Sequence, residues 1–198
     1  MAGTTLYLTD LDAGMALTSD EFASADYKAP FVYERVKGRL VVMSPAGAEH
    51  RAVSRPFRKA LGLYWGQHDD VIDEVDIEGW VATSEDEDRI PDICVYLNGE
   101  QSGGTVPRRV PELIFEFVSR DRADQECDYI AKRAEYHAIG VREYVIVDRF
   151  KRAALVLTHT GSGDFAERSL AETEVYTTPL LPGLEVKLAA AFGESKPS

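Results

Sequence analysis

An α/β protein built on a mixed β-sheet flanked by helices is what the sequence predicts, and three observations carry that expectation. The runs "ICVYL" (93–97), "ELIFEFVS" (112–119) and "REYVIVDR" (142–149) read as apolar strands, the second of them apolar on both faces. A helical stretch lies between the last two. The remaining strands follow one another in hairpins at either end of the chain, so strands and helices do not alternate regularly.

Each element follows from local chemistry. Residues 1–17 carry no strong periodic signal and are expected as an N-terminal extension. "TSDEFAS" (18–24) is a short helix with Thr18 or Ser19 as its cap. "FVYERVKGRLVVMSP" is a hairpin that turns at Lys37-Gly38 and ends at Pro45. Residues 49–66 are helical, with Pro56 demanding a late start or a kink. "VIDEVDI" alternates like a half-buried strand, and "ATSEDEDR" is an acidic, solvated loop without calcium-loop spacing. Pro91 opens a strand over 91–97, where a missing amide donor is tolerable. The loop "NGEQSGGTVPRR" leads to the strand at 112–119. A helix over 124–139 stops at Gly140. "AALVLTHTGSGDFAERSL" forms a hairpin about Gly161-Ser162-Gly163, and "PLLPGLEVKLAAAF" closes the domain. One domain over 18–192 is expected, followed by a disordered tail at 193–198.

The chain has 198 residues, 44% hydrophobic and 28% charged, which is enough to bury a proper core. No apolar stretch reaches membrane-spanning length, and the N-terminus lacks the features of a secretion signal. Cys94 and Cys127 are too few for a disulfide framework and read as reduced thiols in a cytoplasm. The net charge of −12 argues against simple nucleic-acid binding, so contact with phosphates must rest on a local basic face or on bound cations.

The chemistry is concentrated in a few positions. Asp92 stands at the threshold of an apolar strand, and Glu116 lies in the middle of a strand covered on both faces. An isolated carboxylate there costs several kcal/mol unless a cation or a donor compensates it. Two carboxylates meeting at a sheet point to a divalent metal, and oxygen donors favour Mg2+ or Mn2+. On the following helix Tyr129, Lys132, Tyr136 and Ile139 share a face, beside an apolar stripe of Ile130, Ala134 and Ala138. Lys132 is thus placed to neutralise the acids or to serve a reaction that develops negative charge. Glu34 shares a hairpin face with Val32 and Val36. Arg51, Arg55, Arg58 and Lys59 make one basic face on the first long helix, the best local candidate for phosphates. His68, His137 and His159 show no metal-ligand spacing, and no serine sits by a base.

Taken in order, "YERVKGRLVVMSP", "AEH", "IPDICV", "ELIFEFVS", "KRAEYHAIGVREYVIVD" and "LLPGLEVKL" resemble the Uma-two family of restriction endonucleases over about residues 20–190. The resemblance implies the PD-(D/E)xK nuclease superfamily: a restriction-endonuclease-like core with a mixed four-stranded sheet, hairpin additions at both ends and a magnesium-dependent phosphodiesterase site. It makes Asp92 the aspartate of "PD" and Glu116 the acid of "(D/E)xK". Val118 stands where that motif has lysine. The family's lysine is displaced to the next helix, four residues before a tyrosine, a spacing met by Lys132 and Tyr136. Glu34 matches the hairpin acid and His50 a histidine after the hairpin.

The implied site holds Mg2+ on Asp92, Glu116 and the Phe117 main-chain carbonyl. Lys132 and Glu34 join the acids as catalytic residues, with His50 and Tyr136 as accessories. The expected activity is endonucleolytic hydrolysis of phosphodiester bonds in DNA, by a homodimer. The alternative is a nuclease-fold protein that binds or regulates a partner without cutting, favoured by the acidity and by Val118. A carboxylate-pair glycosidase would need a sugar platform and no inward lysine.

Overall fold

The computed structural model describes residues 5–99, 109–120, 127–161 and 163–193. Most of the expected loop at 98–109, the start of the helix expected at 124, Ser162 of the expected turn and the tail after Gly193 lie outside the described residues. The chain forms two compact units, one of residues 1–46, 80–90 and 102–109, the other of 47–79, 91–101 and 110–198. The single domain expected over 18–192 therefore draws on both units.

The first unit is built on the hairpin of β3 (Val32–Val36) and β4 (Arg39–Met43). Its two-residue turn needs left-handed backbone at both positions, and Lys37 (φ 51°) and Gly38 (φ 68°) supply it. Two short strands, β6 (Val81–Ala82) and β7 (Asp88–Arg89), extend the hairpin to a sheet of order β4-β3-β7-β6. Helix α1 (Ser19–Ser24) starts at Thr18, whose side chain accepts from the Glu21 amide while Glu21 reaches back. β1 (Tyr7–Leu8) pairs in parallel with β2 (Asp26–Tyr27). Leu8, Leu17, Phe22, Tyr33 and Leu40 form the core of this unit, so the segment expected as an extension contributes two of its side chains.

The acidic loop is only partly solvated. Ser84, Glu85 and Asp86 are exposed, but Asp88 and Arg89 are buried. Arg35 Nε donates to Asp88 Oδ2, and Trp80 Nε1 donates to Asp88 Oδ1 at 2.8 Å. Buried charges persist there because each is paired across the sheet.

The second unit carries the larger sheet. Its strands are β5 (Ile72–Ile77), β8 (Ile93–Leu97), β9 (Leu113–Phe117), β10 (Glu143–Asp148), β11 (Ala153–Thr158) and β12 (Ala166–Ala171), in the order β12-β11-β10-β9-β8-β5. Only β9 and β10 run parallel, with Glu116 beside Ile146 and Phe117 beside Val147. The sheet is mixed, as expected, but has six strands where four were implied, because the hairpin β11–β12 adds to the edge of β10.

Helix α2 (Ala48–Trp65) lies on one face, where Val53, Phe57, Leu61 and Tyr64 join Leu113, Phe115 and Phe117 in the core. It runs through Pro56 from Ala48, so the expected late start does not occur. Proline removes one backbone bond, and the apolar stripe at i, i+4, i+8 and i+11 outweighs that loss. β13 (Val175–Tyr176), β14 (Val186–Lys187) and α4 (Ala189–Phe192) close the unit.

The connection from β9 to β10 includes a π-helical turn, Cys127–Ala131, which continues as α3 (Lys132–Ala138). It ends at Gly140, whose φ of 87° is left-handed. No described helix is long and apolar enough to cross a membrane.

Candidate active site

The alternation of β9 fixes the position of Glu116. Leu113, Phe115 and Phe117 belong to the core shared with α2, which turns Ile114 and Glu116 to the other face. There Lys132, the first residue of α3, donates from Nζ to Glu116 Oε1 at 2.9 Å, and the Tyr136 hydroxyl donates to the same oxygen at 3.1 Å. Lys132 and Tyr136 are one helical turn apart, so both reach the same carboxylate. Asp128, in the preceding π-turn, lies 3.1 Å from Lys132 Nζ through Oδ1. Its carbonyl accepts from the Tyr144 hydroxyl at 2.9 Å, which ties the turn to β10.

Asp92 stands just before β8. Its Oδ2 accepts from the Phe117 amide at 2.8 Å and lies 3.2 Å from His50 Nε2. His50, in the first turn of α2, also meets the Phe117 ring edge-on, centroids 5.9 Å apart. The expected accessory histidine thus clamps Asp92 and the residue after Glu116 together.

Electrostatically the site is short of positive charge. Burial pushes the Glu116 carboxyl well above the ordinary carboxylate range; the Lys132 ammonium opposes this, while the charges of Asp128 and Asp92 add to it. Burial lowers the His50 pKa, but the bond to Asp92 and its charge outweigh burial and raise it overall. Among the described residues the Lys132 ammonium and His50 are set against the carboxyls of Glu116, Asp128 and Asp92.

That deficit is the condition a bound cation relieves. The described hydrogen bonds to Asp92 fall on Oδ2 and those to Glu116 on Oε1, which leaves Asp92 Oδ1 and Glu116 Oε2 as hard oxygen donors. Among the described residues no three His, Cys, Asp or Glu side chains group as a metal site. Two such carboxylate oxygens are donors that an ion keeping several waters, as Mg2+ does, can use.

The other expected residues are placed as follows. Glu34 belongs to the first unit, where its carboxylate accepts from Arg89 Nη1 and from the Ile90 amide, each at 3.0 Å. Arg51, Arg55 and Lys59 are exposed on α2, and Arg58 Nη2 donates to the Arg51 carbonyl at 3.3 Å. Tyr129 does not join Lys132 and Tyr136; the wider π-turn directs its hydroxyl to Asp148 Oδ2 at 3.0 Å. The stripe of Ile130, Ala134 and Ala138 faces outward, with Ile130 68% exposed. Ile130, Arg133 and His137 border a groove of about 580 Å³ on that separate helix face, away from the Lys132 amine. His137 stacks on His159 at 4.4 Å between centroids.

Asp128 was the residue the sequence reading missed. Its signal was present, an acid four positions before Lys132, but such pairs are usual on solvated helix faces and do not by themselves mark a site.

The mixed sheet sets Glu116 of β9 against the Lys132 amine of α3, with Asp92 just before the neighbouring β8. The chain belongs to the Uma2 family, whose model, described as "Putative restriction endonuclease", matches residues 20–191. The fold is similar to the crystal structure of "a putative nuclease belonging to DUF820" from Anabaena variabilis ATCC 29413. The identity is 14%, with 89% of this chain and 97% of that chain covered and a TM-score of 0.68. No curated protein matches.

Proposed function

We propose that this chain is a metal-dependent endonuclease that hydrolyses phosphodiester bonds of DNA, with Asp92, Glu116 and Lys132 as its catalytic residues. The observation that carries the proposal is the buried Lys132–Glu116 contact of 2.9 Å, formed beside Asp92 where the sequence of β9 has Val118 in place of a lysine. Asp92, Glu116 and the Phe117 carbonyl would hold Mg2+. The chemistry supplied when Mg2+ is bound is polarisation of the phosphodiester and a lowered pKa for an attacking water.

The protein's own groups supply the rest. The Phe117 amide and His50 orient Asp92, and the Tyr136 hydroxyl orients Glu116. The Lys132 side chain presents positive charge to the phosphoryl oxygens, where negative charge grows along the reaction. Glu34, whose carboxylate accepts from Arg89 and the Ile90 amide within the first unit, is assigned no step. Two copies acting together would cut both strands of a duplex.

Incubation with supercoiled plasmid tests the reading. Nicking in Mg2+ that stops in EDTA, and that Asp92→Ala abolishes, supports it; equal turnover by Asp92→Ala refutes it. The net charge of −12 favours a non-cutting binder instead, and a wild-type protein that neither binds Mg2+ nor nicks DNA would support that alternative.

A further inference from the structure

The turn after β10 places Arg149, Phe150, Lys151 and Arg152 together on an acidic chain. β10 runs beside β9 with Val147 next to Phe117, so the turn leaves the sheet at the end where Phe117 holds Asp92 and His50. Two of its cations are committed to the fold. Lys151 Nζ lies 3.3 Å from Asp148 and 4.1 Å over the Tyr129 ring, and Arg152 is paired with Glu172 and bonded to the Phe192 carbonyl.

Arg149 is held differently. Its side chain is 17% exposed, and its Nη1 lies 3.0 Å from Glu49 Oε2, a carboxylate 71% exposed and one position before His50. Its Nε is buried and meets no partner among the described residues. Its guanidinium sits 4.7 Å over the Phe150 ring, which is 45% exposed. An ion pair to so exposed a carboxylate is weak, whereas a guanidinium fork matches a phosphate bidentately. A buried donor left unpaired is also a cost that rotation off Glu49 would relieve.

We propose that Arg149 receives a backbone phosphate of the substrate beside the Asp92–Glu116–Lys132 cradle, and that Phe150 stacks on the adjoining base. An exposed ring flanked by arginine is a platform for an unstacked base, so the strand bound here is single-stranded or locally unpaired. The proposal rests on the nuclease reading.

The test is fluorescence anisotropy of a labelled single-stranded oligodeoxynucleotide across a salt series in EDTA, with Mg2+-dependent nicking measured separately. Arg149→Gln weakens binding about tenfold and flattens the log–log salt slope by about 0.7, one single-strand phosphate. Phe150→Ala weakens it at least about fivefold, the lower end for one stacked base. Glu49→Gln tightens binding by freeing the guanidinium, and does so more than Glu185→Gln, which removes an exposed acid elsewhere. If Arg149→Gln fails to fold, Phe150→Ala and Glu49→Gln decide. Wild-type binding that these variants leave unchanged overturns the inference while sparing the nuclease reading. A wild-type protein that neither binds nor nicks removes both.

Discussion

Lys132 Nζ and Glu116 Oε1 meet at 2.9 Å across sixteen positions of chain, joining the crossover helix to the central strand beneath it. Breaking such a pair from one side strands a buried charge, which costs about 3–5 kcal/mol. Lys132→Met is therefore expected to destabilise the fold by roughly 3 kcal/mol. Adding Glu116→Gln to it should recover part of that loss, because the Glu116 carboxylate is then no longer stranded, although Asp128 still lacks the ammonium. Equilibrium urea unfolding of wild type, both single variants and the double checks this. A double variant no more stable than Lys132→Met would show that the carboxylate was never stranded.

Magnesium binding should depend on both strand acids. Asp92→Asn keeps a group of the same shape against the Phe117 amide and removes only charge. Titration calorimetry of wild type should give a heat of Mg2+ binding that Asp92→Asn and Glu116→Gln each reduce below detection. Equal heats in all three proteins would place the cation elsewhere.

Tyr136 acts through Glu116 and is a positioning residue. Tyr136→Phe deletes the 3.1 Å hydrogen bond while keeping the ring that packs edge-on against Tyr144. The expected loss is about 1.5–3 kcal/mol, the scale of a hydrogen bond to a charged group, which lowers the melting temperature by several degrees. Activity should fall but persist. Complete loss of nicking in a fully folded Tyr136→Phe would give the hydroxyl a direct part in the reaction.

A pH dependence of stability follows from Glu143. Burial pushes its carboxyl above the ordinary 4.5, against the opposing hydroxyls of Tyr176 at 2.6 Å and Thr178 at 3.2 Å. A carboxyl with a raised folded pKa binds more protons in the native state. Its contribution is therefore full below the ordinary value and is lost as pH rises through the folded pKa. Melting curves of wild type minus Glu143→Gln should show wild type losing ground as pH rises from about 4.5 towards neutrality. A flat difference would contradict the burial argument.

The strand core was legible because its pattern is local. β9 is apolar on both faces, and a carboxylate within it stands out whatever surrounds it; the Lys132–Tyr136 spacing is likewise a property of one helix. What escaped depends on partners far away in the chain. Asp88 reads as one more acid in a solvated loop until Arg35, 53 positions away, is brought to it. The π-turn diverted Tyr129 to Asp148 because one wider turn rotates every residue before α3, and no residue in "CDYIA" announces it. Ile130, Ala134 and Ala138 form an apolar stripe without burying it, since the sheet is met by the face that carries Lys132 and Tyr136.

The most direct measurement is the Mg2+-dependent nicking rate of supercoiled plasmid by wild type and Lys132→Met, side by side, at a temperature where circular dichroism shows both folded. The site described here predicts measurable wild-type nicking that falls by about 10²–10³-fold in the variant, the scale of losing one charge-stabilising donor. Equal rates in the two proteins would contradict it.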